Sequence, residues 1–279
     1  MTIVTLGHSP DADDAFMFYG LTSGKITNPE ITFRHVIQDI QSLNQRALKG
    51  EFDVTAVSFH AYPYLVGNYV LLPCGASMGD NYGPVVIARE QLAREDIVHT
   101  RIAIPGTLTS AFLALMLWLE RPACELNYIV VPFDQIVGKV IRGESEAGLL
   151  IHEAQLTYQD CGLKCIVDLG AWWKKETGLP LPLGGNVIHR RIPKNKRTII
   201  AALIRESIQY AMRNRTEAIA YAMKFARGTP LELATKFIGM YVNNFTIDLG
   251  NIGRQALKVF FDRAYYAGLI PLLPSIEFD

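Results

Sequence analysis

The chain has 279 residues, 49% of them hydrophobic, and its 27 basic and 27 acidic side chains give a formal net charge of zero. A balanced charge lacks the basic surface that binds nucleic acid or an anionic membrane, so we expect neither as a partner. The longest apolar runs are also far shorter than the ~20 residues that span a bilayer. A small molecule is therefore the expected partner.

The N-terminal segment predicts a strand followed by an acidic loop. The strand covers residues 3–6, and the loop over residues 7–14 carries three carboxylates, Asp11, Asp13 and Asp14. We expect Asp14 to cap the next helix and, at the border of a ligand cleft, to bind substrate, because loops at the carboxyl ends of strands build such sites. Three carboxylates can also bind a metal, but the helix N-terminus explains them adequately. We predict no metal.

The next segments predict a strand, a helix and a second strand that ends in a hydroxyl. The strands cover residues 31–36 and 53–58, on either side of an amphipathic helix over residues 40–48. Ser58 stands where a further helix, over residues 59–66, is expected to begin. It is either an N-cap, the commoner role of serine there, or a hydroxyl that holds an anion at the helix start.

A change in pattern predicts the first crossover between two lobes. Strands at residues 69–74 and 84–88 flank a glycine-rich connector, and beyond about Arg89 the charge density rises while apolar periodicity fades. The pattern then restarts, with a strand at residues 101–104 and an apolar helix at residues 111–120.

Two hydroxyls, Thr109 and Ser110, precede that apolar helix and repeat the arrangement at Ser58. We expect both lobes to present such hydroxyls, on helix N-termini, toward one cleft. That arrangement suits a carboxylate or a polyol.

The run from Glu146 to Ile151 predicts a strand buried on both faces, and it delivers His152 at its end. A strand at residues 128–131 and a helix at residues 133–142 precede it. Without context, a histidine that caps the next helix or satisfies a core hydrogen bond would be the better interpretation. At the rim of a cleft, however, a side chain with an ordinary pKa near 6.5 is a usable general base.

The remaining segments predict a return to the first lobe. A strand at residues 165–169 precedes a long loop over residues 170–185, and a strand at residues 186–189 crosses back at about His189. The adjacent Trp172 and Trp173 in that loop either pack in a core or wall an aromatic ligand. Four helices are then predicted, over residues 199–212, 216–225, 230–242 and 251–267. None of them contains a residue pattern that indicates catalysis.

These elements predict an α/β protein with a two-lobed type II periplasmic-binding-protein-like fold and two interlobe crossovers. Residues 1–88 and 190–279 are expected to form the larger lobe, and residues 89–189 the smaller inserted one. Ligand binding between such lobes is usually accompanied by closure.

Cysteine usage and the N-terminus indicate a reducing compartment. Cys74, Cys124, Cys161 and Cys165 contain no Cys-x-x-Cys pair, so we expect reduced, mostly buried residues. The first residues enter a strand without the basic and apolar segments of a signal peptide. We expect a cytoplasmic monomer or homodimer.

Six segments, taken in order, resemble the 1,4-dihydroxy-6-naphthoate synthase family of the futalosine route to menaquinone. They are residues 9–16 (SPDADDAF), 55–58 (TAVS), 105–111 (PGTLTSA), 148–153 (GLLIHE), 168–173 (DLGAWW) and 178–184 (GLPLPLG). The resemblance implies a lyase that cleaves cyclic dehypoxanthine futalosine to the naphthoate without any cofactor. It also implies that His152 is the catalytic base.

The same resemblance implies the substrate-binding residues, which are Ala56, Val57, Ser58, Thr109 and Ser110. Family members have Thr-Thr where this chain has Thr109-Ser110, and the hydroxyl is kept. Two other functions fit the same architecture. One is chorismate dehydration, and the other is a receptor that binds a small carboxylate without turnover.

Overall fold

A computed structural model describes residues 2–226 and 228–279. Eleven strands form within them: β1 (Thr2–His8), β2 (Ile31–Ile37), β3 (Val54–Ser58), β4 (Tyr69–Leu71), β5 (Ser77–Gly79), β6 (Val85–Ala88), β7 (Ile102–Ile104), β8 (Tyr128–Val130), β9 (Ala147–Leu150), β10 (Lys164–Asp168) and β11 (Leu181–His189).

Twelve α-helices accompany these strands in the same ranges. They are α1 (Ala12–Met17), α2 (Tyr19–Thr22), α3 (Ile40–Leu48), α4 (Arg94–Ile97), α5 (Ser110–Leu119), α6 (Ile136–Ile141), α7 (Leu169–Thr177), α8 (Lys194–Arg213), α9 (Arg215–Ala222), α10 (Leu231–Tyr241), α11 (Asn244–Ile247) and α12 (Gly250–Tyr266). Short 3₁₀ helices lie at Tyr62–Tyr64, Ala123–Glu125, Phe133–Gln135, His152–Leu156 and Tyr158–Cys161.

The strands form two separate mixed sheets. The first has the order β2-β1-β3-β11-β4, with β5 also paired to β11, and the second has the order β10-β6-β9-β7-β8. In the first sheet β1 is parallel to β2 and β3, whereas β11 runs antiparallel to its neighbours. This two-sheet α/β architecture is the one that the sequence predicts.

The chain changes sheets earlier than the sequence pattern predicts. β6 pairs with β9 and β10 of the second sheet, and β11 pairs with β3, β4 and β5 of the first. The predicted boundaries at residues 88/89 and 189/190 therefore assign both strands to the wrong lobe. The rise in charge after Ala88 marks the end of a strand, while the crossing lies in the glycine-rich connector before it. We place the two crossovers within residues 80–84 and 169–180.

Most predicted helices are present with small shifts, and the exceptions have local causes. α3 has the predicted bounds, while α5 and α12 are each displaced by one residue. The predicted loop over residues 170–185 is instead α7 and the first part of β11. α7 is bounded by Asp168, whose carboxylate accepts from the Gly170 and Ala171 amides (both 2.9 Å), and by Gly178 in the left-handed region.

Both faces of each sheet are covered by apolar side chains. One core joins the two sheets through α5 and α12, a second lies beneath α1, α8 and α10, and a third packs α6 on the second sheet. Trp173 is fully buried in the joining core, edge-on to Phe260 with ring centroids 5.5 Å apart. The core interpretation is therefore confirmed for Trp173. Of the four free cysteines, Cys124 and Cys161 are exposed, so the expectation of mostly buried thiols is wrong.

The two crossover segments touch each other through glycine. A Cβ at Gly83 would lie 2.9 Å from the Cα of Gly170, and a Cβ at Gly170 would overlap the Tyr82 carbonyl. Because backbone, and not a flexible side chain, occupies that space, neither segment can move aside easily. Two glycines thus permit the close approach of the two segments that join the lobes.

We expect Gly170→Ala to lower the free energy of unfolding by about 1–3 kcal/mol, the usual cost of overpacking. Gly67→Ala is the matched control, because a Cβ at Gly67 meets nothing within 4 Å. Urea unfolding of both variants and the parent measures the difference. Equal stability of Gly170→Ala and Gly67→Ala would refute the packing argument.

Candidate functional site

A cleft lies between the two sheets and encloses about 760 Å³ of space, part of it open to solvent. Pockets for small ligands have about this size. All seven residues that the sequence singles out line it: Asp14, Ala56, Val57, Ser58, Thr109, Ser110 and His152. Their individual binding and catalytic roles stay predictions.

Ser58 is held at the cleft by a buried asparagine. The amide nitrogen of Asn44 donates to Ser58 Oγ (3.0 Å), and the Ser58 backbone N–H donates to Asn44 Oδ1 (2.9 Å). The predicted helix over residues 59–66 is wrong, since turns and the short 3₁₀ helix at Tyr62–Tyr64 follow β3. Ser58 therefore caps no α-helix. Its hydroxyl proton is not used in the Asn44 contact and can be donated to a ligand.

Thr109 and Ser110 begin α5, as predicted, but only one of the two hydroxyls is available to a ligand. Thr109 Oγ1 accepts from the Phe112 amide (3.2 Å) and donates to the Gly106 carbonyl (2.8 Å), so it serves as the N-cap. Ser110 Oγ accepts from the backbone N–H of His60 (3.1 Å), which leaves its proton for a ligand. The helix start next to it favours an anion.

His60 links this helix start to the other lobe. Its Nδ1 lies 3.2 Å from the Thr109 carbonyl oxygen, and burial lowers the pKa of His60 to about 4. The imidazole is thus neutral at physiological pH, and its Nδ1–H donates to that carbonyl. Two hydrogen bonds from one residue of the first lobe therefore fix the start of α5 in the second.

His152 has an unusual backbone conformation directly after β9. Its φ of +63° lies in the left-handed region, which non-glycine residues adopt at a cost of about 1–3 kcal/mol. Its Nδ1 lies 3.2 Å from Asp11 Oδ2, and its ring meets that of Phe133 edge-on with centroids 4.3 Å apart. Strain of this kind persists where surrounding contacts enforce it, and it clusters at functional sites.

Gln155 makes one of the contacts that hold His152 in this strained conformation. Its amide oxygen accepts from the His152 backbone N–H (3.2 Å), and its amide nitrogen donates to the Gly83 carbonyl (2.7 Å) and the Tyr241 hydroxyl (2.8 Å). The opposite amide orientation would set two oxygens against each other at Gly83. Gln155 thereby joins the histidine loop, a crossover segment and α10 in one contact.

Two aromatic residues of the cleft lie on a helix in which the sequence predicts no functional residue. Phe237 and Tyr241 both line the cavity from α10, and their rings pack with centroids 4.8 Å apart. The apolar stripe of α10 is visible in the sequence, but a stripe does not reveal that one end of it faces a cavity. Neither Trp172 nor Trp173 is among the described residues that line the cleft.

The acidic loop after β1 contributes Asp11, Asp13 and Asp14 to the same cleft. Asp14 does not cap the helix as predicted, because α1 already begins at Ala12. Its Oδ2 accepts instead from the Ser9 backbone N–H (2.6 Å). Within the described ranges, no group of three or more His, Cys, Asp or Glu side chains has the arrangement of a metal site.

Burial and mutual repulsion raise the pKa values in this loop. Burial raises the pKa of Asp14 to about 6, with a further contribution from the charge of Asp11. Burial also raises the pKa of Asp13 well above its ordinary value, and the charges of Asp14, Asp11 and Glu153 add to it. Asp13 Oδ1 is shielded from water and has no hydrogen-bond partner among the described residues. Asp13 is therefore a costly group to keep ionised.

Comparison with known proteins connects this geometry to a family. The family model described as "Menaquinone biosynthesis" matches residues 4–266. The chain is 36% identical over 269 residues to the 1,4-dihydroxy-6-naphthoate synthase of Thermus thermophilus, covering 96% of both chains. It is also 36% identical over 273 residues to that of Streptomyces coelicolor, covering 96% of this chain and 95% of the relative.

Solved structures give the same fold. A protein from Archaeoglobus fulgidus superposes with a TM-score of 0.91 at 44% identity, covering 96% of this chain and 98% of that one. The alkanesulfonate-binding protein of Xanthomonas axonopodis superposes with a TM-score of 0.73 at 11% identity, covering 99% and 96% of the two chains. The second match shows that the fold is that of periplasmic binding proteins, as predicted from the sequence. None of the helices in the described ranges is both long and apolar enough to cross a membrane.

The Asp13 carboxyl, whose Oδ1 has no hydrogen-bond partner among the described residues, predicts a pH-dependent stability. Its pKa is higher in the fold than in the unfolded chain, so between those two values the unfolded state binds fewer protons and stability falls as pH rises. Asp13→Asn removes this loss. We expect the variant to be more stable than the parent at pH 8 by about 1–3 kcal/mol, the cost of an unsatisfied buried group, and by much less at pH 4.

Thermal unfolding at both pH values measures the difference. Asp160→Asn, at an exposed position, serves as the control and should be neutral at either pH. A gain in Asp13→Asn that is the same at pH 4 and pH 8 would show that the carboxyl is not destabilised by its charge.

Proposed function

Because this chain belongs to the menaquinone biosynthesis family, whose model matches residues 4–266, we propose that it is a lyase that converts cyclic dehypoxanthine futalosine to 1,4-dihydroxy-6-naphthoate. Two relatives that align over nearly their whole length carry that synthase name. The observation that supports the reaction best is the strained His152 at the cleft. Its Nε2 has no hydrogen-bond partner among the described residues, and a base needs such a free nitrogen.

The substrate carboxylate binds at the start of α5. Helix α5 has ten residues, and the backbone N–H groups of Ser110 and Ala111 in its first turn are not used by other backbone groups among the described residues. The Ser110 hydroxyl lies beside them, and Ser58 lines the same cavity from the first lobe. Free amides, a helix dipole and two donor hydroxyls together suit a carboxylate.

His152 acts as the general base. It removes a proton from the sugar-derived portion of the bound spiro ring, so that the C–H bond breaks, an N–H bond forms at Nε2, and the electron pair stays on the substrate. That pair opens the ring and leads to carbon–carbon cleavage, and formation of the aromatic naphthalene drives the reaction forward. Phe237 and Tyr241 lie at the cleft and provide a surface on which a fused ring can pack.

The cytoplasmic location and the monomeric or dimeric state stay predictions from the sequence. A biosynthetic role is consistent with the first of these predictions.

We expect the purified protein to release 1,4-dihydroxy-6-naphthoate from cyclic dehypoxanthine futalosine, as measured by mass and fluorescence. His152→Ala should lower kcat by at least about 10²–10⁴-fold, the usual contribution of a general base, while substrate binding stays measurable by calorimetry. His99→Ala, a change at an exposed histidine, is the matched control and should keep full activity.

Wild-type turnover in His152→Ala would refute its role as the base but not the reaction. If the wild-type protein makes no naphthoate, incubation with chorismate separates a dehydratase from a receptor. A dehydratase consumes chorismate, whereas a receptor binds a carboxylate and leaves it unchanged.

A further inference from the structure

A carboxylate from the opposite lobe contacts the proposed base. Asp11 follows β1 of the first sheet and His152 follows β9 of the second, yet Asp11 Oδ2 and His152 Nδ1 are 3.2 Å apart. Both side chains are largely removed from water, being 4% and 14% exposed. We propose that Asp11 is a positioning residue for His152, which accepts the Nδ1 proton across the cleft and leaves Nε2 free to take a proton from the substrate. This inference rests on the proposed role of His152 as the base.

Asp11 is itself held in place. The Ser9 hydroxyl donates to Asp11 Oδ2 (2.6 Å), and the Asp11 backbone N–H donates to Ser9 Oγ (3.2 Å). A carboxylate with a fixed donor and little access to water keeps one orientation. Ser9, Asp11 and His152 thus form a continuous chain of polar contacts that runs from the first lobe to the second.

The imidazole ring is fixed on its other sides as well. Phe133 packs against the ring, and Gln155 accepts from the backbone N–H of His152. These contacts determine where the ring lies but not which nitrogen carries its proton. The Asp11 carboxylate decides this second point, because an acceptor at Nδ1 selects the tautomer with Nδ1 protonated and Nε2 bare.

The same carboxylate stabilises the product of proton transfer. When Nε2 gains the substrate proton, the ring becomes a cation that faces the Asp11 charge, and Asp11 itself takes no proton. Asp13, Asp14 and Glu153 also lie near this site and are acidic, while Tyr241 reaches it through Gln155. Asp11 differs from these groups in lying within hydrogen-bonding distance of the ring.

Asp11→Asn tests the role, since it keeps the size of the side chain but removes the charge. An amide N–H directed at Nδ1 favours the opposite tautomer, with the proton on Nε2. We expect kcat to fall about 10²–10⁴-fold, as for other histidine bases given the wrong tautomer or deprived of base function, with KM changed by less than about threefold.

Nitrogen-15 NMR of the imidazole gives a readout that does not depend on turnover. In the wild-type protein at neutral pH, the His152 spectrum should show a protonated Nδ1 and a bare Nε2, and in Asp11→Asn the two should exchange. Asp160→Asn is the matched exposed control and should change neither the spectrum nor kcat. In a His152→Ala background, Asp11→Asn should cause no further loss of activity, because Asp11 acts through His152.

The outcomes separate this inference from the proposed function. If the wild type makes the naphthoate and His152→Ala abolishes it, but Asp11→Asn keeps kcat within about twofold with an unchanged imidazole spectrum, the role of Asp11 is refuted and the function stands. If the wild type makes no naphthoate, the function fails, and the wild-type spectrum still decides the tautomer. A bare Nδ1 in the wild-type protein would overturn the inference without any variant.

Discussion

Two sheets that share no strand must be held against each other for the cleft to exist, and polar contacts between the lobes contribute to this. Gln41 of α3 accepts from the Leu108 amide, and His60 reaches both residues that start α5. The contacts to the Leu108 and His60 amides each satisfy a backbone group that burial would otherwise leave unpaired, at a cost of about 1–3 kcal/mol. The cost of separating them keeps the hydroxyls of Ser58 and Ser110 at one cavity, and a joint apolar core supports the same arrangement.

The cleft also contains groups that a purely structural site would not retain. The partly buried loop after β1 places three acidic side chains close together, those of Asp11, Asp13 and Asp14. His152 has a strained backbone. Substitutions that relieve such features commonly stabilise proteins and cost activity. The surrounding hydrogen bonds from Ser9 and Gln155 do not remove the strain or the repulsion. They fix the geometry in which these unfavourable groups face a ligand.

Periodicity and capping signals were enough to predict α3, α5 and α12, because a helix depends on residues that are near each other in the sequence. The sheet to which β6 or β11 belongs could not be predicted in this way, since an apolar run gives no information about the strand with which it pairs. Tyr241 is remote in sequence from Gln155, so their contact left no local signal. The missed helix α7 is different: Asp168 and Gly178, its two caps, were visible in the sequence, but the adjacent tryptophans and prolines suggested a loop.

The likeness to a sulfonate-binding protein at 11% identity shows a shared fold and leaves the chemistry to the side chains at the cleft. Anion recognition needs only hydroxyls, which both lobes contribute, and a helix start, which α5 contributes. Proton abstraction needs a base with a defined tautomer, and in the proposed pair the base and its carboxylate come from different lobes. Separation of the lobes would leave His152 in water without Asp11. Assembly of the base and enclosure of the substrate are then the same event, which confines the reactive intermediate to the cleft.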